Sequence, residues 1–142
     1  MYAESLTDLL VAELQDLYDV EHQLVKALPK MAEAAFAEEL REAFQEHLVQ
    51  TNTHVERLDQ AFKKLGVSPQ RKHCPAMEGL IEEADELMEK GDDGDPNVLD
   101  AGLIVAAQKV EHYEIAGYGS ARAFAKTLGA KEIARLLQHT LH

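Results

Sequence analysis

The sequence predicts an all-α fold, a four-helix bundle with a long crossover connector, on three observations. Three long segments repeat apolar residues at three- and four-residue steps, and nothing alternates convincingly with period two. A connector of about thirty residues separates the second long helix from the third, where an up-down-up-down bundle would have only short loops. The 142 residues suffice for one domain, taken as 1–142, with a core that needs no staples. Against 26 Asp+Glu stand 14 Lys+Arg, a formal charge of −12, which argues against nucleic acid as a partner. No apolar run approaches the ~20 residues that cross a bilayer. The first residues lack the basic and apolar regions of a signal peptide. The one cysteine, Cys74, excludes an intrachain disulfide framework and a Cys-rich zinc site. A soluble, cytoplasmic protein without nucleic-acid or membrane partners is expected.

The first helix carries Leu6, Leu10, Leu14, Leu17, Leu24, Leu28 and Met31 on one stripe, with Ser5 or Thr7 available as its cap. Pro29 falls near its end, where it is expected to kink or loosen the last turn. The second carries Leu40, Phe44, Leu48, Val55, Leu58, Phe62 and Leu65 and stops at Lys63-Lys64-Leu65-Gly66, cations and then glycine. Val67-Ser-Pro69 opens the connector, a short extra helix follows Cys74-Pro75, and Gly91-Asp-Asp-Gly-Asp-Pro-Asn closes it with turn residues. The acids between Glu78 and Asp95 read as a solvated face. Asp92, Asp93, Gly94 and Asp95 lack the ligand spacing and terminal Glu of a calcium loop. The third long helix runs from about Asn97 to Thr127 with Leu99, Leu103, Ala106, Ala107, Val110, Tyr118 and Phe124 inward, and Gly129 ends it. A fourth begins at Lys131 with Ile133, Leu136, Leu137 and Leu141 inward; stopping at His142 without a cap, it reads as a helix cut short.

Polar residues on these stripes are the informative positions. Glu21 interrupts the first, between Leu17 and Leu24; His47 and His54 interrupt the second, with Gln50 between them; Glu114 follows Val110 on the third, with Glu111 on its flank. If the first hairpin turns near residue 36, Glu21 lies level with residue 51, between Gln50 and His54. If the second turns near residue 129, Glu111 and Glu114 face positions 147 and 144, beyond the last residue. Buried carboxylates without a counter-charge are costly, and a pair of divalent ions removes the cost. Carboxylate oxygens suit Mn and Fe, and imidazole favours a transition metal over Mg or Ca. The alternative is a polar core satisfied by hydrogen bonds, in which a lone inward His or Glu is structural. Tyr18, Tyr113 and Tyr118 read as core or interface aromatics, Cys74 as a lone connector thiol, and His139 and His142 as residues of a fraying end.

Four segments carry a resemblance. They are Glu13-Leu-Gln-Asp-Leu-Tyr-Asp-Val-Glu-His-Gln-Leu, His47-Leu-Val-Gln-Thr-Asn-Thr-His-Val-Glu-Arg-Leu, Cys74-Pro-Ala-Met-Glu-Gly-Leu-Ile-Glu-Glu-Ala and Ala107-Gln-Lys-Val-Glu-His-Tyr-Glu-Ile-Ala-Gly-Tyr-Gly. In this order the chain resembles the YciE/YciF-type bacterial stress proteins, a branch of the ferritin-like, rubrerythrin-related superfamily. The resemblance implies a ferritin-like four-helix bundle, frequent homodimerisation, and a centre of two Fe or Mn ions for oxygen, peroxide or Fe(II) redox chemistry. It places metal ligands at Glu21, position 50, His54, Glu111 and Glu114. Position 50, commonly Glu, is Gln50 here, a neutral and weaker ligand. The fourth helix normally continues with further acids, so a chain ending at His142 would be metal-free or hold one ion where a longer one binds two. A non-catalytic dimeric bundle of the stress response is the competing expectation, with Leu9 and Val11 on an outer face as a partner surface. An acidic adaptor built on residues 78–95 ranks last.

Overall fold

The structure, a computed structural model, describes residues 5–91 and 94–141. Five helices follow one another: α1 (Leu6–Ala34), α2 (Glu38–Leu65), α3 (Pro75–Lys90), α4 (Pro96–Thr127) and α5 (Lys131–Leu141). The all-α bundle expected from the periodicity is thus the observed architecture, with α3 as the extra helix of the crossover.

Local chemistry sets each boundary. Ser5 caps α1, its hydroxyl accepting from the Asp8 N–H at 3.1 Å. Pro29 does not end α1, which continues to Ala34; Pro29 lies on the exposed side, where its ring adds no crowding to the core. α2 stops at Gly66, whose φ of +70° is the left-handed cap that glycine adopts without a Cβ penalty. Cys74 caps α3 through Sγ, and Pro75 occupies the first turn, where a missing N–H costs nothing. Asp95 caps α4 by accepting from the Asn97 N–H at 2.9 Å. Gly129, φ +76°, turns α4 into α5.

The start of α2 is capped from elsewhere in the fold. Ala37 has no side chain to offer, and Asp100 of α4 instead accepts from the Phe36 and Ala37 N–H groups at 2.7 and 2.8 Å. One buried carboxylate therefore satisfies two orphan donors at the α1–α2 turn and ties that turn to α4.

Helix directions follow from side-chain pairs. Tyr18 meets Asp59 and Glu21 meets His54, so α1 and α2 are antiparallel. Asp16 meets Tyr113 and Phe36 meets Asp100, so α1 and α4 are antiparallel. Lys64 meets Glu132 and Arg57 meets Thr140, so α5 runs against α2. Consequently α2 and α4 run the same way, which only a long connection can achieve. That connection is fastened to α1. The buried Asp19 carboxylate accepts from the Cys74 N–H (2.8 Å), Arg71 Nε (2.9 Å) and Gln23 Nε2 (2.6 Å), and the Lys72 N–H donates to the Gln15 carbonyl (3.1 Å).

The apolar core falls into two clusters. One gathers Val20, Leu24, Leu28, Met31, Phe44, Met77, Leu103 and Val110 toward the α1–α2 turn. The other gathers Leu10, Leu14, Leu17, Leu58, Phe62, Tyr118, Ile133 and Leu137 toward the α4–α5 turn. Leu9 and Val11 are half-buried; the exposed large apolar residues include Val49 on α2 and Val98, Ile104, Val105 and Ile115 on α4. Asp95 is engaged as a helix cap, while Asp92, Asp93 and His142 lie outside the described residues. Among the described residues, no helix is long and apolar enough to cross a membrane.

Candidate metal centre

Between the two apolar clusters lies a polar layer built from three helices. Glu21 comes from α1, His54 from α2 and Glu114 from α4, each at the inward position its stripe dictates. One ligand atom from each lies within 4.8 Å of the other two. His54 Nδ1 is 2.6 Å from Glu21 Oε2 and 3.9 Å from Glu114 Oε2. Glu21 is 0% exposed and Glu114 7%. Such a pair of carboxylates cannot both ionise cheaply in a dry layer. Burial pushes the Glu21 carboxyl well above its ordinary range. Burial raises Glu114 further, reinforced by the neighbouring Glu21 carboxylate. His54 is pulled down, first by burial and then by Arg57, against the opposing pull of Glu114.

Hydrogen bonding leaves the layer incomplete. Glu21 Oε1, Glu114 Oε2 and the Tyr118 hydroxyl are buried without a partner, and so is Gln138 Oε1 of α5. Tyr118, one turn beyond Glu114 and 1% exposed, packs its ring edge-on to His54 at 6.2 Å between centroids. Burial and the two carboxylate charges hold its phenol protonated far above the usual range. His54 Nδ1 is paired with Glu21 Oε2 and faced by the orphaned Glu114 Oε2, while Glu21 Oε1 is left without a partner; a divalent cation would satisfy such oxygens. At ~2.1 Å bonds, neighbouring donors around one ion stand about 3.0–3.4 Å apart, and the contacts of 2.6 and 3.9 Å bracket that spacing. The residues present therefore fit one ion.

Gln50 and Glu111 stand elsewhere. Both are exposed, on the wall of a cavity of about 470 Å³ that reaches the layer between α2 and α4 and is also lined by His139, Thr140 and Leu141 of α5. Thr51, one helical turn before His54, takes the inward place, and its hydroxyl donates to the His47 carbonyl at 2.8 Å. His47, the other histidine on the α2 stripe, places its Nε2 3.9 Å from Glu114 Oε1. Tyr113 donates to Asp16 at 2.7 Å and its hydroxyl oxygen lies 3.1 Å from Cys74 Sγ. Burial raises the Cys74 thiol, which suits a structural cap and not a nucleophile.

The arrangement has relatives. Residues 5–142 match the profile of the family described as a domain of unknown function, DUF892. The chain belongs to this family. Escherichia coli (strain K12) protein YciF is 44% identical over 142 residues, spanning 99% of this chain and 84% of the relative. The crystal structure of the E. coli stress protein YciF superposes with a TM-score of 0.92 at 44% identity, covering 98% of this chain and 87% of that one. YcfI from Rhodopseudomonas palustris, whose description assigns it a provisional structural role, also gives 0.92, at 46% identity over 99% of this chain and 90% of its own. The resemblance to YciF-type proteins read from the four segments is thereby established over nearly the whole chain.

Proposed function

We propose that this DUF892 protein is a metal-dependent redox protein of the bacterial stress response, with Fe or Mn held on Glu21, His54 and Glu114. One observation carries the proposal: two buried, partly orphaned carboxylates and an imidazole, brought from three helices to within 4.8 Å between the two apolar clusters. When bound, such an ion would supply one-electron chemistry toward oxygen, peroxide or Fe(II). The chain's own residues would do the rest. Glu21 and Glu114 would neutralise the ion, His54 would bias the site toward a transition metal, and α2 and α4 would leave its cavity side open to a small oxidant. The similarity to a stress protein supports the physiological half of the proposal.

The test is metal content. Protein expressed with added Fe or Mn should retain at least about half an equivalent, and Glu21→Ala, His54→Ala and Glu114→Ala should each lose it. Wild-type protein with less than that would refute the proposal.

A second reading is a non-catalytic, homodimeric bundle, favoured by the structural role in the YcfI description and by the apolar residues Val98, Ile104, Val105 and Ile115 exposed on α4. It expects a dimer by light scattering, and the same three substitutions altering stability without any metal-dependent oxidation.

A further inference from the structure

The cavity between α2, α4 and α5 has its charges sorted along its length. His47, His54 and Arg57 line it from α2, with Arg57 one turn beyond His54 and about 15 Å along the axis from His47. Glu114 reaches in from α4 beside His47, and Glu111 lies one turn earlier on that helix, which runs the same way as α2. Both acids therefore stand toward the His47 end.

The other end carries a cation. Arg57 is half-buried, and its Nη1 donates to the Thr140 hydroxyl of α5 at 3.2 Å. Among the described residues no carboxylate lies within ion-pair distance of its guanidinium, although the chain has 26 acids to 14 bases. A guanidinium offers five N–H donors in a planar fork that matches a carboxylate. Half-buried on a cavity wall and unmatched in so acidic a chain, it is placed to receive a carboxylate from outside.

We infer that this cavity binds an organic monocarboxylate, its carboxylate held by Arg57 and its carbon skeleton lying along Ile115 and Leu141. Three features support it beyond the guanidinium. The volume of about 470 Å³ lies within the range of small-molecule sites, about 300–1,000 Å³, whereas a water-sized oxidant fills only about 30 Å³. Ile115 is 47% exposed on that wall, an apolar surface which a carbon skeleton would cover. One guanidinium faces two acids across the cavity, so a monoanion is favoured over a dianion such as phosphate. The inference stands on Arg57 and the cavity, needs no metal ion, and goes beyond the metal-centre proposal.

Calorimetric titration of the full chain in EDTA tests it, with benzoate, its neutral analogue benzamide and inorganic phosphate as probes. Wild-type chain should bind benzoate at least about tenfold more tightly than either of the others. Arg57→Gln should weaken benzoate at least about tenfold and leave benzamide within about twofold. Arg57→Lys, which cannot grip both oxygens, should fall between. Glu111→Gln removes a like charge and should tighten benzoate about threefold. Circular dichroism checks that each variant is folded; if Arg57→Gln is not, Glu111→Gln and the benzamide comparison decide. Equal affinity for benzoate and benzamide, benzoate binding indifferent to these substitutions, or no binding at all overturns the inference. Phosphate preferred to benzoate overturns it in favour of an inorganic oxyanion. Each of these failures leaves the metal-centre proposal standing, since that is judged on the metal content of the chain.

Discussion

The polar layer should make the metal-free protein less stable as pH rises through neutrality, opposite to the usual carboxylate behaviour. The folded-state pKa of Glu21 is raised by burial and that of Glu114 by burial and by Glu21, so the folded chain keeps a proton that the unfolded chain releases. A raised folded pKa means that stability is greatest below the unfolded value and is lost as pH climbs toward the folded one. His54 has the opposite sign: its folded pKa is lowered, so its contribution is lost as pH falls. That opposing effect fades above about pH 7, where the unfolded imidazole is already neutral. His47 and Arg57 on α2 and Tyr118 on α4 also face the pair, and the Tyr118 phenol stays protonated throughout this window. With one proton retained, the slope is ~1.4 kcal/mol per pH unit. Between about pH 7 and 8 a chelator-treated sample should therefore lose about 1 kcal/mol, or about 3–4 °C in Tm.

Glu114→Gln removes the ionisation while keeping the shape. It should flatten the pH profile and stabilise the metal-free protein at pH 8 by about 1–3 kcal/mol. Urea midpoints at the two pH values, in EDTA, give the answer. Adding a bound divalent ion should reverse the slope, because both carboxylates must then be ionised. A flat or rising profile in EDTA, unchanged by Glu114→Gln, would show that the two carboxylates are not a coupled buried pair.

Three further outcomes follow from named contacts. Asp100→Ala strands the Phe36 and Ala37 N–H groups and should cost about 2–4 kcal/mol by chemical denaturation, with Asp100→Asn intermediate. Gly117→Ala would place a Cβ 2.7 Å from a Leu17 methyl that is itself fully buried, and should lower stability by about 1–3 kcal/mol in the same assay. Cys74 should react with an aromatic disulfide reagent about a hundredfold more slowly in the native protein than after denaturation, since its thiol is buried and its pKa raised.

The sequence carried the helices because their stripes are long, and Gly66 and Gly129 mark the ends of α2 and α4 in plain letters. The same stripes exposed Glu21, His54 and Glu114, since an ionisable group amid Leu at helical spacing stands out. Gln50 and Glu111 were harder. Each sits one residue off the inward position, a rotation of about 100°, and spacing alone does not decide whether a long side chain bends back to the axis. The structure leaves both on the cavity wall. Asp19 and Asp100 were missed for a different reason. Asp100 lies beside Leu99 and Leu103 on the α4 stripe, so the interruption that picked out Glu21 was present there too. Their roles are nevertheless long-range, tying the crossover and the α1–α2 turn, and no local pattern names the backbone donors they meet.

The division of the core gives the polar layer its meaning. Leucine and phenylalanine on either side of it form two apolar clusters, each drawing on several helices and together supplying the burial that holds the bundle. The layer between them adds little to that burial. Left unpartnered, its two carboxylates detract from it, because orphaned buried oxygens cost roughly 1–3 kcal/mol each. A core selected for stability alone would fill those three positions with leucine or methionine and fuse the two clusters. Replacing Glu21, His54 and Glu114 together by apolar residues should accordingly raise the melting temperature of the metal-free protein while abolishing metal uptake. If the triple variant were instead much less stable than the metal-free wild type, the layer would be a structural network in its own right. A chemical role would then no longer be needed to explain why these charges lie inside.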